Sequence, residues 1–236
     1  MQITRRIVCA ALALLTLAAA PASAAVFVSD DFSSANLDPA LWTFVDPVGG
    51  AGVSLSGGEL SIAVPAGTEH DIWYSGNNSV RIMQPTDDVD FEIEVKFASV
   101  PSQGFQIQGV LVEQDAQNFM RFDFYSDGPN LWLFAARFVN GSPTIMYNSI
   151  IGSPSGGDLY MRIARAGNPW TQSYSHDGTS WTQSTSFSHA IPANSVGPFA
   201  GNAGAVPAYT GLCQYSSPTS VPTDPGAGGL CGPAPA

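Results

Sequence analysis

The feature that most constrains this chain is the run Asp88–Phe97, in which Val89, Phe91, Ile93, Val95 and Phe97 alternate with Asp88, Asp90, Glu92, Glu94 and Lys96. A period of two puts one set on each face of an extended strand and cannot be laid along one side of a helix. The alternation recurs in Gln106–Val112 and in Phe119–Tyr125, where Met120, Phe122 and Phe124 fall inward and Arg121, Asp123 and Tyr125 outward. Leu131–Val139 is almost continuously apolar, which predicts a strand covered on both faces. Leu159–Arg165 and Trp170–Ser175 read as two more strands, and Ser175–Trp181 as a hairpin with Asp177-Gly178 at its turn. Only Asp38–Trp42 reads as a short helical turn, and no stretch carries a long 3.6-residue apolar period. Short strands separated by Gly, Pro, Asn and Asp predict an all-β chain, a two-sheet antiparallel jelly-roll sandwich.

The ends differ from the middle. Residues 1–24 have the form of a secretory signal: Arg5 and Arg6, the mostly apolar run Ile7–Ala20, then small residues at Pro21–Ala24. That run is shorter than the ~20 residues a spanning helix needs, so a secreted, extracellular protein without a membrane span is expected. Residues 25–215 form one domain. Residues 216–236 are Pro- and Gly-rich, lack alternation, and read as a disordered tail. The chain carries 8 Lys+Arg against 19 Asp+Glu, a net charge of −11 that becomes −13 once Arg5 and Arg6 leave with the signal. Such a field repels nucleic acid and anionic lipid; a monomer is expected. Cys213 and Cys231 are the only cysteines beyond the leader. In an oxidising compartment they are expected to pair, pinning the tail at the domain edge with ~3 kcal/mol.

Three segments carry a family resemblance: Asp30-Asp31-Phe32 with Leu37-Asp38-Pro39 and Trp42; His70-Asp71-Ile72-Trp73 running to Arg81–Pro85; and Gly109–Asp115 paired with Asn118–Gly128. Tyr160–Ile163, Tyr174–Gly178 and Gly197–Ala203 complete the pattern. In these the chain resembles the concanavalin A-like lectin/glucanase superfamily, and within it the laminin-G-like and β-xylosidase C-terminal-like jelly rolls of secreted bacterial proteins. The resemblance implies two stacked sheets, one of them concave, and a module that accompanies carbohydrate-active enzymes and binds glycans. Calcium is a cofactor such domains can hold. Here the last strand, Leu212–Ser217, lacks the acidic residue relatives carry, which leaves Asp30 and Asp31 without that partner.

Catalysis asks for a constellation. Laminarinase-type relatives carry Glu-x-Asp-x-x-Glu on one strand, whereas Asp88, Asp90, Glu92 and Glu94 share one face at intervals of two. No Gly-x-Ser-x-Gly elbow accompanies His70-Asp71, whose adjacent side chains point to opposite faces. Carbohydrate binding asks for less: rings to stack on sugar faces and planar polar groups to meet hydroxyls. Gln106, Gln108, Arg121, Asp123, Tyr125 and Arg162 are the outward candidates, with Trp73 at the rim and Tyr74 beside it. Against this stands a structural reading, in which Arg121, Asp123 and Arg162 satisfy one another and Trp73 is core. Trp42 and Trp132 read as core. The first expectation is a secreted non-catalytic module binding a neutral or weakly basic polysaccharide. The alternatives are a glycoside hydrolase or polysaccharide lyase of the same fold, and a structural or adhesion domain.

Overall fold

The structure, a computed structural model, describes residues 28–218. The leader expected at 1–24 and residues 219–236 of the expected tail, Cys231 and its expected disulfide included, lie outside the described residues; Ser216–Pro218, expected in that tail, instead end the last strand. In chain order the strands are β1 (Thr43–Val45), β2 (Gly52–Leu55), β3 (Leu60–Val64), β4 (Ile72–Trp73), β5 (Gly76–Asn77), β6 (Val80–Pro85), β7 (Phe91–Phe97) and β8 (Gln106–Glu113). They continue with β9 (Phe119–Ser126), β10 (Leu131–Val139), β11 (Ser142–Gly152), β12 (Leu159–Arg165), β13 (Pro169–Ser175), β14 (Thr182–Ser188), β15 (Ser195–Asn202) and β16 (Tyr209–Pro218). Among the described residues there is no helix. Asp38–Trp42 is a single turn, its Leu41 and Trp42 amides donating to the Asp38 carbonyl at 3.0 and 2.8 Å.

Fourteen strands form two seven-stranded sheets. The first runs β1-β6-β15-β8-β9-β10-β11, the second β14-β13-β12-β7-β16-β3-β2, and the small β4–β5 hairpin belongs to neither. The pairings are antiparallel. The expected antiparallel sandwich is the fold, and its cause is the alternation. Phe91, Ile93, Val95 and Phe97 of β7 meet Met120, Phe122 and Phe124 of β9 in the core between the sheets. Burying each such large apolar side chain contributes about 1.5–3 kcal/mol, so the period-two pattern fixes which face turns inward.

Strand β10 is covered on both faces. Leu131, Leu133 and Ala135 join the inter-sheet core. Phe134, Ala136 and Phe138 join a second cluster on the opposite face, with Ile72 of the β4–β5 hairpin and Ile107, Leu111, Phe119 and Phe199. The hairpin therefore lies over the face of the first sheet that points away from the second.

Strand β16 does not skirt the edge of the domain. It runs between β7 and β3, and Cys213 is fully buried in the inter-sheet core. The expectation of an edge cysteine is corrected: the last strand of the fold enters the middle of a sheet. Asp30 accepts the Phe32 amide and the Trp42 indole N–H, each at 2.7 Å, and Asp31 accepts the Ser33 amide at 3.0 Å. These carboxylates organise the turn that leads to Trp42. Among the described residues no three His, Cys, Asp or Glu gather in a group suited to a metal ion. Nor is any helix among them long and apolar enough to cross a membrane.

Candidate functional site

The candidate site is built on β8, β9 and β10 where the hairpin stops short of covering them. Arg121 and Asp123 sit two residues apart on β9, so they share a face. Arg121 Nε lies 2.6 Å from Asp123 Oδ2, and its Nη1 donates to the Ile72 carbonyl at 2.8 Å. Its guanidinium rests on the Phe134 ring at 4.9 Å. The hairpin backbone thus closes over this ion pair, leaving Arg121 5% and Asp123 0% exposed. Asp123 Oδ1 is buried with no hydrogen-bond partner. Burial pushes the Asp123 carboxyl above the usual range, and the Arg121 charge opposes that rise. Asp71, at the start of the hairpin, is likewise raised by burial and opposed by Arg121. One guanidinium serves two desolvated carboxyls.

Beside this pair opens a cavity of about 360 Å³. Its floor is Arg121, Ile107 and Phe134; its walls are Asp71, Trp73 and Tyr125; Glu69, Tyr74 and Phe105 stand at its rim. Tyr74 is 92% and Phe105 49% exposed. The Tyr125 ring is nearly parallel to Phe105 (6.3 Å, 7°) and to Trp132 (5.7 Å, 9°). Its hydroxyl donates to Asn148 Oδ1 at 3.0 Å. Trp73 meets Phe134 and Phe138 edge-on at 5.8 and 5.7 Å. It is at once a wall of the cavity and packed against the second core.

The rim is held under backbone strain. Phe105 has φ +60° and Val206, in the facing loop, φ +45°, a region that costs bulky residues of order 1–3 kcal/mol. The Ala203 amide donates to the Phe105 carbonyl at 3.0 Å, and the Phe105 amide to that of Ser126 at 2.7 Å. Gly204 lies under the Phe105 ring, where a Cβ would come within 2.9 Å of it. The ring's position is over-determined.

The sequence-predicted residues separate into three groups. Trp73, Arg121 and Tyr125 line the cavity, and Asp123 lies beneath it, sealed from solvent. Gln106 and Gln108 are on the other face of the sheet. The register pairs Gln108 with Phe124 and Gly109 with Asp123, so even positions of β8 turn toward the second sheet. Their expected shared face with Arg121 is corrected accordingly. Gln108 accepts the Tyr209 and Ser99 hydroxyls, each at 2.6 Å, inside the sandwich. Gln106 accepts the Ser102 and Gln103 amides at 2.9 Å and donates to the Ala208 carbonyl at 2.7 Å, fastening the loop that carries Phe105. Arg162 belongs to the second sheet, paired with Glu94 at 2.6 Å and lying 3.8 Å over Trp181. Trp132, read as core, is half-buried beside the aromatic row, its indole N–H donating to Asp127 at 2.8 Å. His70 is buried between the Thr68 and Gly49 carbonyls and does not face the cavity that Asp71 lines. Asp71, Glu69 and Phe105 carry no periodic signal of their own; only the placement of their loops brings them here.

No family model matches the chain, and no curated protein matches it. Solved structures do. The chain is similar to the GH43 BlXynB protein from Bacillus licheniformis, with TM-score 0.64 and 19% identity over 80% of this chain and 38% of that one. It is similar to Xyloglucan PUL GH43B of Bacteroides ovatus, with TM-score 0.64 and 16% identity over 81% of this chain and 38% of that one. A third likeness is to LamAcat from Zobellia galactanivorans, with TM-score 0.56 and 12% identity over 80% of this chain and 95% of that one. The chain spans 38% of the length of the two GH43 proteins. At these identities the likeness establishes the fold alone, a two-sheet antiparallel β-sandwich.

Proposed function

We propose that this chain is an exported, non-catalytic polysaccharide-binding module of the laminin-G-like or β-xylosidase C-terminal-like kind. The observation that carries this reading is the cavity itself. Rings from three separate elements (Trp73 and Tyr74, Phe105, Tyr125) surround one buried guanidinium–carboxylate pair. Sugars present apolar C–H faces and hydroxyl edges together, and such a site offers a partner to each. The deepest carboxyl, Asp123, is sealed from the cavity, a position suited to orienting Arg121 rather than to meeting a reacting bond. The neighbours' presence in carbohydrate-active proteins supports the same reading.

Affinity electrophoresis against a panel of plant, algal and microbial polysaccharides tests it. At least one should retard the intact chain. Tyr74→Ala removes an almost fully exposed ring and should weaken that retardation roughly fivefold, the equivalent of about 1 kcal/mol for one aromatic contact, with the melting temperature unchanged. If no polysaccharide retards the chain, the structural or adhesion reading takes its place.

A further inference from the structure

The cavity is unusual in its charge. Its acidic and basic lining residues are Glu69, Asp71 and Arg121. The one cation is already claimed: Asp123 sits on its Nε at 2.6 Å, the Ile72 carbonyl takes its Nη1, and Phe134 covers one face. Asp71 and Glu69 thus have no cation in contact, Arg121 reaching Asp71 only through its field, and Asp123 Oδ1 is a buried, unpartnered acceptor just beneath. Desolvation raises the Asp71 carboxyl, so it stands to gain from any positive charge brought into the cavity. Around these acids stand Trp73, Tyr74, Phe105 and Tyr125, and ring faces attract cations, the more so when partly desolvated. The whole chain, at −11, adds a long-range field of the same sign.

We infer that the cavity selects a saccharide unit carrying a free primary ammonium group, seated against Asp71 within the aromatic rim. The inference rests on the glycan reading above and narrows it to amino sugars. An acidic sugar would meet Asp71 and Glu69 with only a neutralised Arg121 to offset them. A neutral or N-acetylated unit would leave Asp71 desolvated with no cation in contact, held only by the Ile72 backbone amide and the field of Arg121. A primary ammonium supplies charge and donors together, and charge-assisted hydrogen bonds to a carboxylate are roughly twice as strong as neutral ones.

The test uses three β-1,4-linked glucose-type tetrasaccharides that differ only at C2, where they carry a hydroxyl, an ammonium or an acetamido group. Each is titrated calorimetrically into the chain in mildly acidic, low-salt buffer, in which the amines hold their proton. The ammonium form should bind at least about tenfold more tightly than either of the others, with the advantage shrinking as salt screens it. Asp71→Asn should lower the ammonium form to the level of the hydroxyl form while the circular dichroism spectrum is unchanged. Equal or tighter binding of the hydroxyl or acetamido form overturns the inference and leaves the glycan reading intact. Should none of the three bind although the polysaccharide panel yields a ligand, the amino-sugar assignment falls alone; should the panel fail too, both fall.

Discussion

At Arg121, Asp123 and Asp71 the chain holds one positive and two negative groups in a space closed by a backbone carbonyl. Removing one partner from such a buried pair costs about 3–5 kcal/mol, because the other is left charged and dry. Asp71 is different: it borders the cavity, and its pairing with Arg121 is one of field rather than contact. Its carboxyl is raised in the folded protein, first by burial, against the Arg121 charge. A carboxyl with a folded value above its unfolded one, about 3.9 for aspartate, keeps its proton in the native state after the unfolded chain has released it. Native stability therefore falls as pH rises from about 4 through that window. Asp71→Asn removes this contribution. Thermal melts in the absence of ligand should show the variant gaining on the parent protein as pH rises from about 4 to 7. A parallel pair of melting curves across that range would mean that Asp71 is not desolvated as described.

Among the elements, the strands that build the sandwich were legible in the sequence and the hairpin that builds the site was not. Alternation marks Met120, Phe122 and Phe124 as inward because half of β9 must leave water, and the almost unbroken apolar run of β10 marks a second covered face. What covers that face is residues around Ile72, four residues of strand in all, too short for any period to show. Alternation also gives each strand's two faces without saying which residue of the next strand lies opposite. That is why Gln106 and Gln108 read as companions of Arg121 although the register puts them on the other side. Their actual work is structural, and Gln106 shows it best. Its side chain satisfies two loop amides and one carbonyl, and leaving such groups unpaired costs about 1–3 kcal/mol. Gln106→Ala should lower stability by about 2 kcal/mol and, by loosening the loop of Phe105, weaken ligand binding although Gln106 itself faces away from the cavity. Calorimetric melting and titration of the same variant check both halves. A stability loss with unaltered affinity would show that the strained rim holds Phe105 without this fastening.

For the molecule as a whole, the decisive contact is made last. Strand β16 pairs with β3 through Tyr209–Cys213 and with β7 through Cys213–Pro218, so the second sheet has no continuous middle until the final described residues are in place. Its side chains and backbone also tie the second sheet to the first. Tyr209 is 7% exposed and donates its hydroxyl to Gln108 of the first sheet, while Leu212 donates its amide to the Ser99 hydroxyl. Burial raises the Tyr209 phenol well above its usual value, in keeping with a neutral donor deep in the sandwich. Without this strand, β3 and β7 would each show an unpaired edge, and Leu60, Ile62, Ile93 and Phe97 would lose the neighbour that shields them. Exposed apolar edges of that kind aggregate rather than fold, and non-local strand pairing of this order folds slowly even when intact. A chain ending at Ala208 should therefore show no cooperative thermal transition. A synthetic peptide spanning Tyr209–Pro218, added in excess, should restore one by re-forming both ladders, since the missing piece supplies main-chain hydrogen bonds and core side chains together. A truncated chain that melts cooperatively on its own at the temperature of the intact protein would mean that the two halves of the second sheet are held by something other than the strand between them.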